Sequence, residues 1–283
     1  MKVNAKTQLT MKKTAFGLVI MFLMLIAACT QNPITGKSNF LLVSNESLIP
    51  MALQQYQQVL KTQKLSTNKK QTAMVKTVGK NIQGAVERYL KAQNKLDFLN
   101  GYQWEYNLIE DNQLNAWCMP GGKVAFYTGI MPVCQNDNGV AVVMGHEITH
   151  ALAQHSAQRA TQALIAQGLQ VAGNMAINDN RYRNVFNSLY PVGAQVGILA
   201  YSRQAELEAD RIGLTLMAMA GYDPREAPKF WERMEAQTRN GRRPPEFLST
   251  HPNPGRRIEQ LKAELPKALQ LYNQATGKQV SLN

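Results

Sequence analysis

Cysteine is scarce in this chain, three in 283 residues, which excludes a disulfide-stapled scaffold. Aromatic residues make up 7% and charged residues 18%, against 45% hydrophobic, an ordinary balance for a folded protein that can bury a sizeable core in one large domain or two modest ones. No recognised nucleic-acid motif is present, although the formal charge is +12. Lys2, Lys6, Lys12 and Lys13 fall in the first 28 residues, which contain no acid. The other basic residues are scattered, apart from pairs such as Lys69-Lys70, Arg242-Arg243 and Arg256-Arg257. The charge therefore reads as a mildly basic surface that tolerates anionic membrane, with no nucleic-acid partner.

Long hydrophobic runs are missing too. The charge-free stretch from Thr14 to Ala28 is shorter than the ~20 residues a membrane-spanning helix needs. It follows Lys12-Lys13 and ends in small residues, the pattern of a secretory leader over residues 1–28. Ile26-Ala27-Ala28-Cys29 resembles the bacterial lipobox, which implies lipid attachment at Cys29 and a membrane anchor. Thr30 follows where an aspartate would favour inner-membrane retention, so the expected location is the periplasmic face of an outer membrane. Export would permit a disulfide between Cys118 and Cys134, with two separate buried thiols as the alternative. Residues 29–45 read as a tether and 46–283 as a single domain.

Proline is absent from Val133 to Tyr190, and a helix is expected to run from near Asp137 past His155. It carries His146-Glu147-Ile148-Thr149-His150. Histidines four apart share a helix face, so His146 and His150 can bind one metal ion, and Glu147 lies beside that face. A metal ion there polarises a carbonyl and acidifies water, and Glu147 can take the water's proton. His155, nine residues from His146, would point half a turn away on such a helix and make a poor ligand.

Upstream, helices are expected over Leu48 to Gln63 and Asn68 to Ala92, the latter burying Met74, Val75, Val78, Ile82, Val86 and Leu90. Strands are expected over Trp104 to Ile109, Asn115 to Met119 and Lys123 to Thr128, the last two joined through Pro120-Gly121-Gly122. An edge strand bearing Asn115 and Ala116 can hold an extended peptide by backbone pairing. Downstream, Ser156 to Tyr201 reads as a helical hairpin. Ala205 to Asp210 is an acidic helical segment in which Glu206 and Asp210 share a face and Glu208 points nearly opposite. A zinc site needs a third ligand. Glu206 can supply it and Asp210 can orient a ligand histidine, unless the segment is a solvated acidic face.

Asn115-Ala116, Pro120-Gly121-Gly122, His146-Glu147-x-x-His150, Glu206-x-x-x-Asp210 and His251-Pro252 together resemble zinc metallopeptidases of the HtpX and CAAX prenyl protease type, and more narrowly the exported bacterial BepA and LoiP group. The resemblance implies an α+β, mostly helical gluzincin fold with a small antiparallel sheet beside the HExxH helix. It also implies one zinc ion held by His146, His150 and Glu206, with Asp210 as a structural neighbour. His251 is expected near the metal, either stabilising an oxyanion or occupying the open position at rest. Arg257 matches the family's arginine and is expected to help hold developing negative charge. The reading is a zinc endopeptidase for exported, unfolded or misassembled envelope proteins. The alternative is a chaperone or assembly factor with an idle or autoinhibited zinc site.

Overall fold

The computed structural model describes residues 29–166, 184, 188, 201–239, 247–248, 251 and 256–282. The expected leader, most of the expected helical hairpin and residues 240–246 lie outside them. The chain enters through an antiparallel hairpin, β1 (Cys29–Gln31) and β2 (Ser38–Phe40). Gly36, at φ 71°, supplies the left-handed residue its turn needs. The segment expected as a tether is thus folded against the body: Ile34 joins the core, Asn32 Nδ2 donates to Leu152 O at 2.7 Å, and Leu42 N donates to Thr161 Oγ1 at 3.1 Å.

Two amphipathic helices follow. In α1 (Asn45–Thr62), Ser44 caps the first turn and Leu48, Ala52, Tyr56 and Val59 form the buried stripe. In α2 (Lys69–Ala92), Asn68 caps the start and Val75, Val78, Ile82, Val86 and Leu90 face inward. The next three strands, β3 (Glu105–Ile109), β4 (Ala116–Met119) and β5 (Lys123–Tyr127), form a sheet in the order β3-β5-β4. Its topology corrects the expected all-antiparallel arrangement. β4 and β5 are an antiparallel hairpin turning through Gly121 and Gly122, both at positive φ, but β3 runs parallel to β5. The outer side of β3 is covered, because Ser66 N donates to Leu108 O and Glu110 N to Lys64 O, both at 2.8 Å. β4 is the other edge, and no described strand pairs with its outer side.

After the short α3 (Met131–Cys134) comes α4 (Asp137–Leu152), capped by Asn136 and buried from Gly139 to Leu152. It stops sooner than the pattern predicts. Gln154 adopts φ 58°, a left-handed conformation, and α5 (His155–Ala166) starts in a new direction. No glycine or proline marks the break. The last carbonyls of α4 are capped from elsewhere, Leu152 O by Asn32 and Ala151 O by Tyr102 Oη at 3.3 Å. Among the described residues three more long helices follow, α6 (Arg203–Met219), ended by Gly221 at φ 85°, α7 (Glu226–Arg239) and α8 (Arg257–Thr276). Phe230, Trp231 and Met234 of α7 are buried. Among the described residues no helix is long and apolar enough to cross a membrane.

α4 and α6 touch backbone to backbone. A Cβ added to Gly145 would stand 2.7 Å from Gly213 O, and one added to Gly213 would stand 2.8 Å from Gly145 C and His146 N. The obstacle is main chain in both directions, so it cannot swing aside. Gly213→Ala is expected to cost about 1–3 kcal/mol of stability through overpacking, and to weaken metal binding by moving Glu206 away from the histidines. Chemical denaturation and a zinc titration of the variant check this; wild-type values in both would show that the helices can separate freely.

Candidate metal centre

Three elements converge at this crossing. α4 brings His146, Glu147 and His150, α6 brings Glu206 and Asp210, and the segment before α8 brings His251. All six side chains are buried. One donor atom from each of His146, His150, Glu206 and His251 lies within 4.8 Å of the others. His146 Nε2 is 3.0 Å from His150 Nε2 and 3.2 Å from His251 Nδ1, and Glu206 Oε1 is 3.1 Å from His251 Nδ1 and 3.4 Å from His150 Nε2.

The arrangement fits a cation. An ionised Asp210 only accepts, so His146 Nδ1, 2.9 Å from Asp210 Oδ1, carries a hydrogen, and the neutral imidazole that a metal ion would bind then turns its Nε2 lone pair into the cluster. Lone pairs and carboxylate oxygens so close repel one another unless a positive charge stands between them. Glu206 Oε2 and Glu147 Oε1 are buried and accept no well-directed hydrogen bond, although Arg257 Nη1 lies 3.1 Å from the first and His251 Nε2 3.4 Å from the second, so each keeps lone pairs that a metal or water could use. The set of imidazole nitrogens and a carboxylate is that of a catalytic zinc site.

Electrostatics separate the two glutamates. Burial opposes the charge on Glu206, but His251, Arg257 and the two histidines of α4 hold its carboxyl well below the usual range. Burial raises Glu147, and the charges of His251 and His146 only partly offset this. Glu206 is a fixed anion, while Glu147 is poised to exchange a proton. Burial works against the charge on Asp210 too, and Arg257 holds that carboxyl below its ordinary value. In the ion-free cluster burial disfavours protonation of His146, but Asp210 and Glu206 outweigh it and push that imidazole up to about 9.

Arg257 is fully buried at the back of the cluster. Its Nε and Nη2 donate to Asp210 Oδ2 and Oδ1, both at 2.6 Å, Nη1 lies 3.1 Å from Glu206 Oε2, and the guanidinium covers the Trp231 ring at 3.5 Å. This geometry makes it the clamp on the two carboxylates of α6. Asn115 and Ala116 lie at the start of edge strand β4, which packs beside α4, and Asn115 Oδ1 accepts from Ala116 N at 2.9 Å. Phe247 N donates to Leu114 O at 3.1 Å and Phe247 stacks on His251, so the same edge helps to seat that histidine. Cys118 on β4 and Cys134 at the end of α3 are free buried thiols, so of the two readings left open the separate thiols hold and the possible disulfide does not. Cys29 begins β1.

Several participants escape sequence reasoning. His155 Nδ1 lies 2.8 Å from His150 Nδ1, and its Nε2 lies 3.2 Å from Glu208 Oε2. Lys37 of the N-terminal hairpin pairs with Glu208 Oε1 at 2.7 Å. Tyr201 stacks on His150 with ring centroids 3.7 Å apart. A helix drawn straight through Gln154 hides His155, and no local pattern marks Lys37 or Tyr201.

Residues 79–265 match the family model described as Peptidase family M48. The mitochondrial metalloendopeptidase OMA1 of Saccharomyces cerevisiae is 39% identical over 188 residues, covering 62% of this chain and 51% of that protein. The mitochondrial metalloendopeptidase OMA1 of Bos taurus is 28% identical over 253 residues, covering 85% and 46%. The beta-barrel assembly-enhancing protease of Escherichia coli K12 is 31% identical over 170 residues, covering 55% and 33%. The chain thus spans about half, or less, of the length of these relatives. They also correct one expectation: the OMA1 relatives are mitochondrial proteins, and a lipoprotein at the periplasmic face of an outer membrane is not upheld. The family match over most of the chain, laid on a buried donor set at the α4–α6 crossing, gives the conclusion that this chain carries a metallopeptidase domain and belongs to peptidase family M48.

Proposed function

We propose that this chain is a zinc-dependent endopeptidase acting on unfolded or misassembled polypeptides. The observation that carries the reading is the pairing of three donors of the buried four-residue cluster, His146, His150 and Glu206, with a separate glutamate, Glu147, whose carboxyl is raised and whose Oε1 accepts no hydrogen bond. Zinc held there would polarise the scissile carbonyl and make water a better nucleophile. Glu147 takes the proton of the attacking water and returns it to the leaving amine. Asp210 and Arg257 keep His146 and Glu206 in place. The edge of β4 beside α4, which begins at Ala116 just after Asn115 and is paired with no other strand among the described residues, is where an extended peptide could add by backbone pairing. That favours chain segments lacking structure over any particular side chain.

A second reading, a chaperone or assembly factor with an autoinhibited centre, is favoured by His251. Its Nδ1 stands among the donors, where a substrate carbonyl or water must enter, and its Nε2 is 3.4 Å from Glu147 Oε1. One experiment addresses both. Purified protein is expected to contain about one zinc per chain, to degrade casein, and to lose that activity on chelation and regain it with zinc. A metal-free protein, or one indifferent to chelator, would sink the endopeptidase reading. His251→Ala is expected to raise the casein rate severalfold if the histidine is a gate; a fall would assign it to transition-state stabilisation instead.

A further inference from the structure

We infer that His155 and Glu208, tied to Lys37 of the N-terminal hairpin, form a positioning relay that presents His150 to the metal through Nε2. The inference rests on the zinc reading above and deepens it. Glu208, paired with the Lys37 ammonium, is a carboxylate and can only accept. His155 Nε2, 3.2 Å from Glu208 Oε2, therefore carries a hydrogen and donates it. A neutral imidazole with hydrogen on Nε2 has a lone pair on Nδ1. That lone pair faces His150 Nδ1 at 2.8 Å, so the hydrogen between the rings belongs to His150. His150 is left with its lone pair on Nε2, the atom 3.0 Å from His146 Nε2 in the donor cluster. Each assignment forces the next, from a lysine near the surface to a ligand in the core.

His150 is thereby served as His146 is served by Asp210, but through an imidazole in place of a direct carboxylate. The break at Gln154 makes this arrangement, because it turns His155 back towards His150 instead of letting it continue along α4. The hairpin is held at this spot by a second, independent contact, Asn32 Nδ2 to Leu152 O at 2.7 Å. The hairpin thus meets both helices of the centre, α4 at its last turn through Asn32 and α6 at Glu208 through Lys37.

His155→Phe keeps a ring of similar volume but removes the acceptor, and His155→Gln keeps an acceptor for His150 Nδ1–H and a donor for Glu208. Zinc dissociation constants of the full chain, measured by chelator competition, are expected to rise about 10- to 100-fold for the phenylalanine variant and to stay within a few-fold of wild type for the glutamine variant. The visible spectrum of the cobalt-loaded protein is expected to change with phenylalanine and to recover with glutamine. Lys37→Met should weaken zinc by a smaller factor in the same direction. Thermal midpoints of the metal-free proteins identify any variant that does not fold; the glutamine and lysine variants then carry the test. Wild-type affinity in His155→Phe, or equal losses with phenylalanine and glutamine, would overturn the relay while leaving the zinc site standing. A wild-type protein without zinc affinity would overturn both.

Discussion

Glu147→Gln is expected to lower the rate of casein hydrolysis by about 10²- to 10⁴-fold, the contribution a positioned general base makes, while zinc content and folding stay at wild-type levels. Two observations separate catalysis from binding here. Glu147 lies outside the four-residue donor cluster, so removing its charge deletes no ligand. It is also buried with Oε1 lacking a hydrogen-bond partner and with its carboxyl raised by burial. A glutamine of the same shape relieves a desolvated anion, and on that account the variant should be no less stable than its parent. A fluorogenic peptide assay beside a zinc determination checks both halves. Retention of activity within tenfold would remove Glu147 from the reaction; loss of zinc along with activity would make it a ligand.

The second large effect concerns stability. Arg257→Met is expected to lower the unfolding free energy by about 3–5 kcal/mol, the cost of breaking a buried ion pair from one side. Asp210 and Glu206 would each keep a charge in the core after losing the cation that faces them. Arg257→Lys should recover little of the loss, because one ammonium cannot reproduce two hydrogen bonds to Asp210, a contact with Glu206 and a face on Trp231. Combining Arg257→Met with Asp210→Leu should cost less than the sum of the single changes, since both partners are then apolar. Urea unfolding of the four proteins at saturating zinc measures the cycle. A single-variant cost below about 1 kcal/mol would mean that water reaches the pair.

What the residues reveal before the fold is known divides along physical lines. His146, Glu147 and His150 are readable because they sit within one helix, where spacing alone sets direction. Glu206 and Asp210 are readable as a shared face, although the face itself does not say what it meets. Periodicity also finds α1, α2 and the buried stripe of α2, since those helices are amphipathic. The parallel pairing of β3 with β5 is not readable, because strand order depends on a connection whose path no local pattern records. The end of α4 is missed because a glutamine makes the left-handed turn and the caps come from Asn32 and Tyr102, far away in sequence. Glu208 points away from Glu206, as helical geometry requires, and its importance appears only once His155 and Lys37 arrive beside it.

The contact of Asn32 with Leu152 closes 120 residues and that of Arg257 with Asp210 closes 47, so the centre is stitched from both flanks of the HExxH helix. On the ribosome this sets an order of events. A nascent chain that has just released α4 holds both histidines and Glu147 but lacks Glu206, its clamp and His251, and a fragment missing the hairpin lacks the cap on α4. The hydrolytic apparatus is therefore completed only when late-synthesised residues return to early ones. A chain that stops short of α6 therefore carries only the two histidines of the four-residue donor cluster.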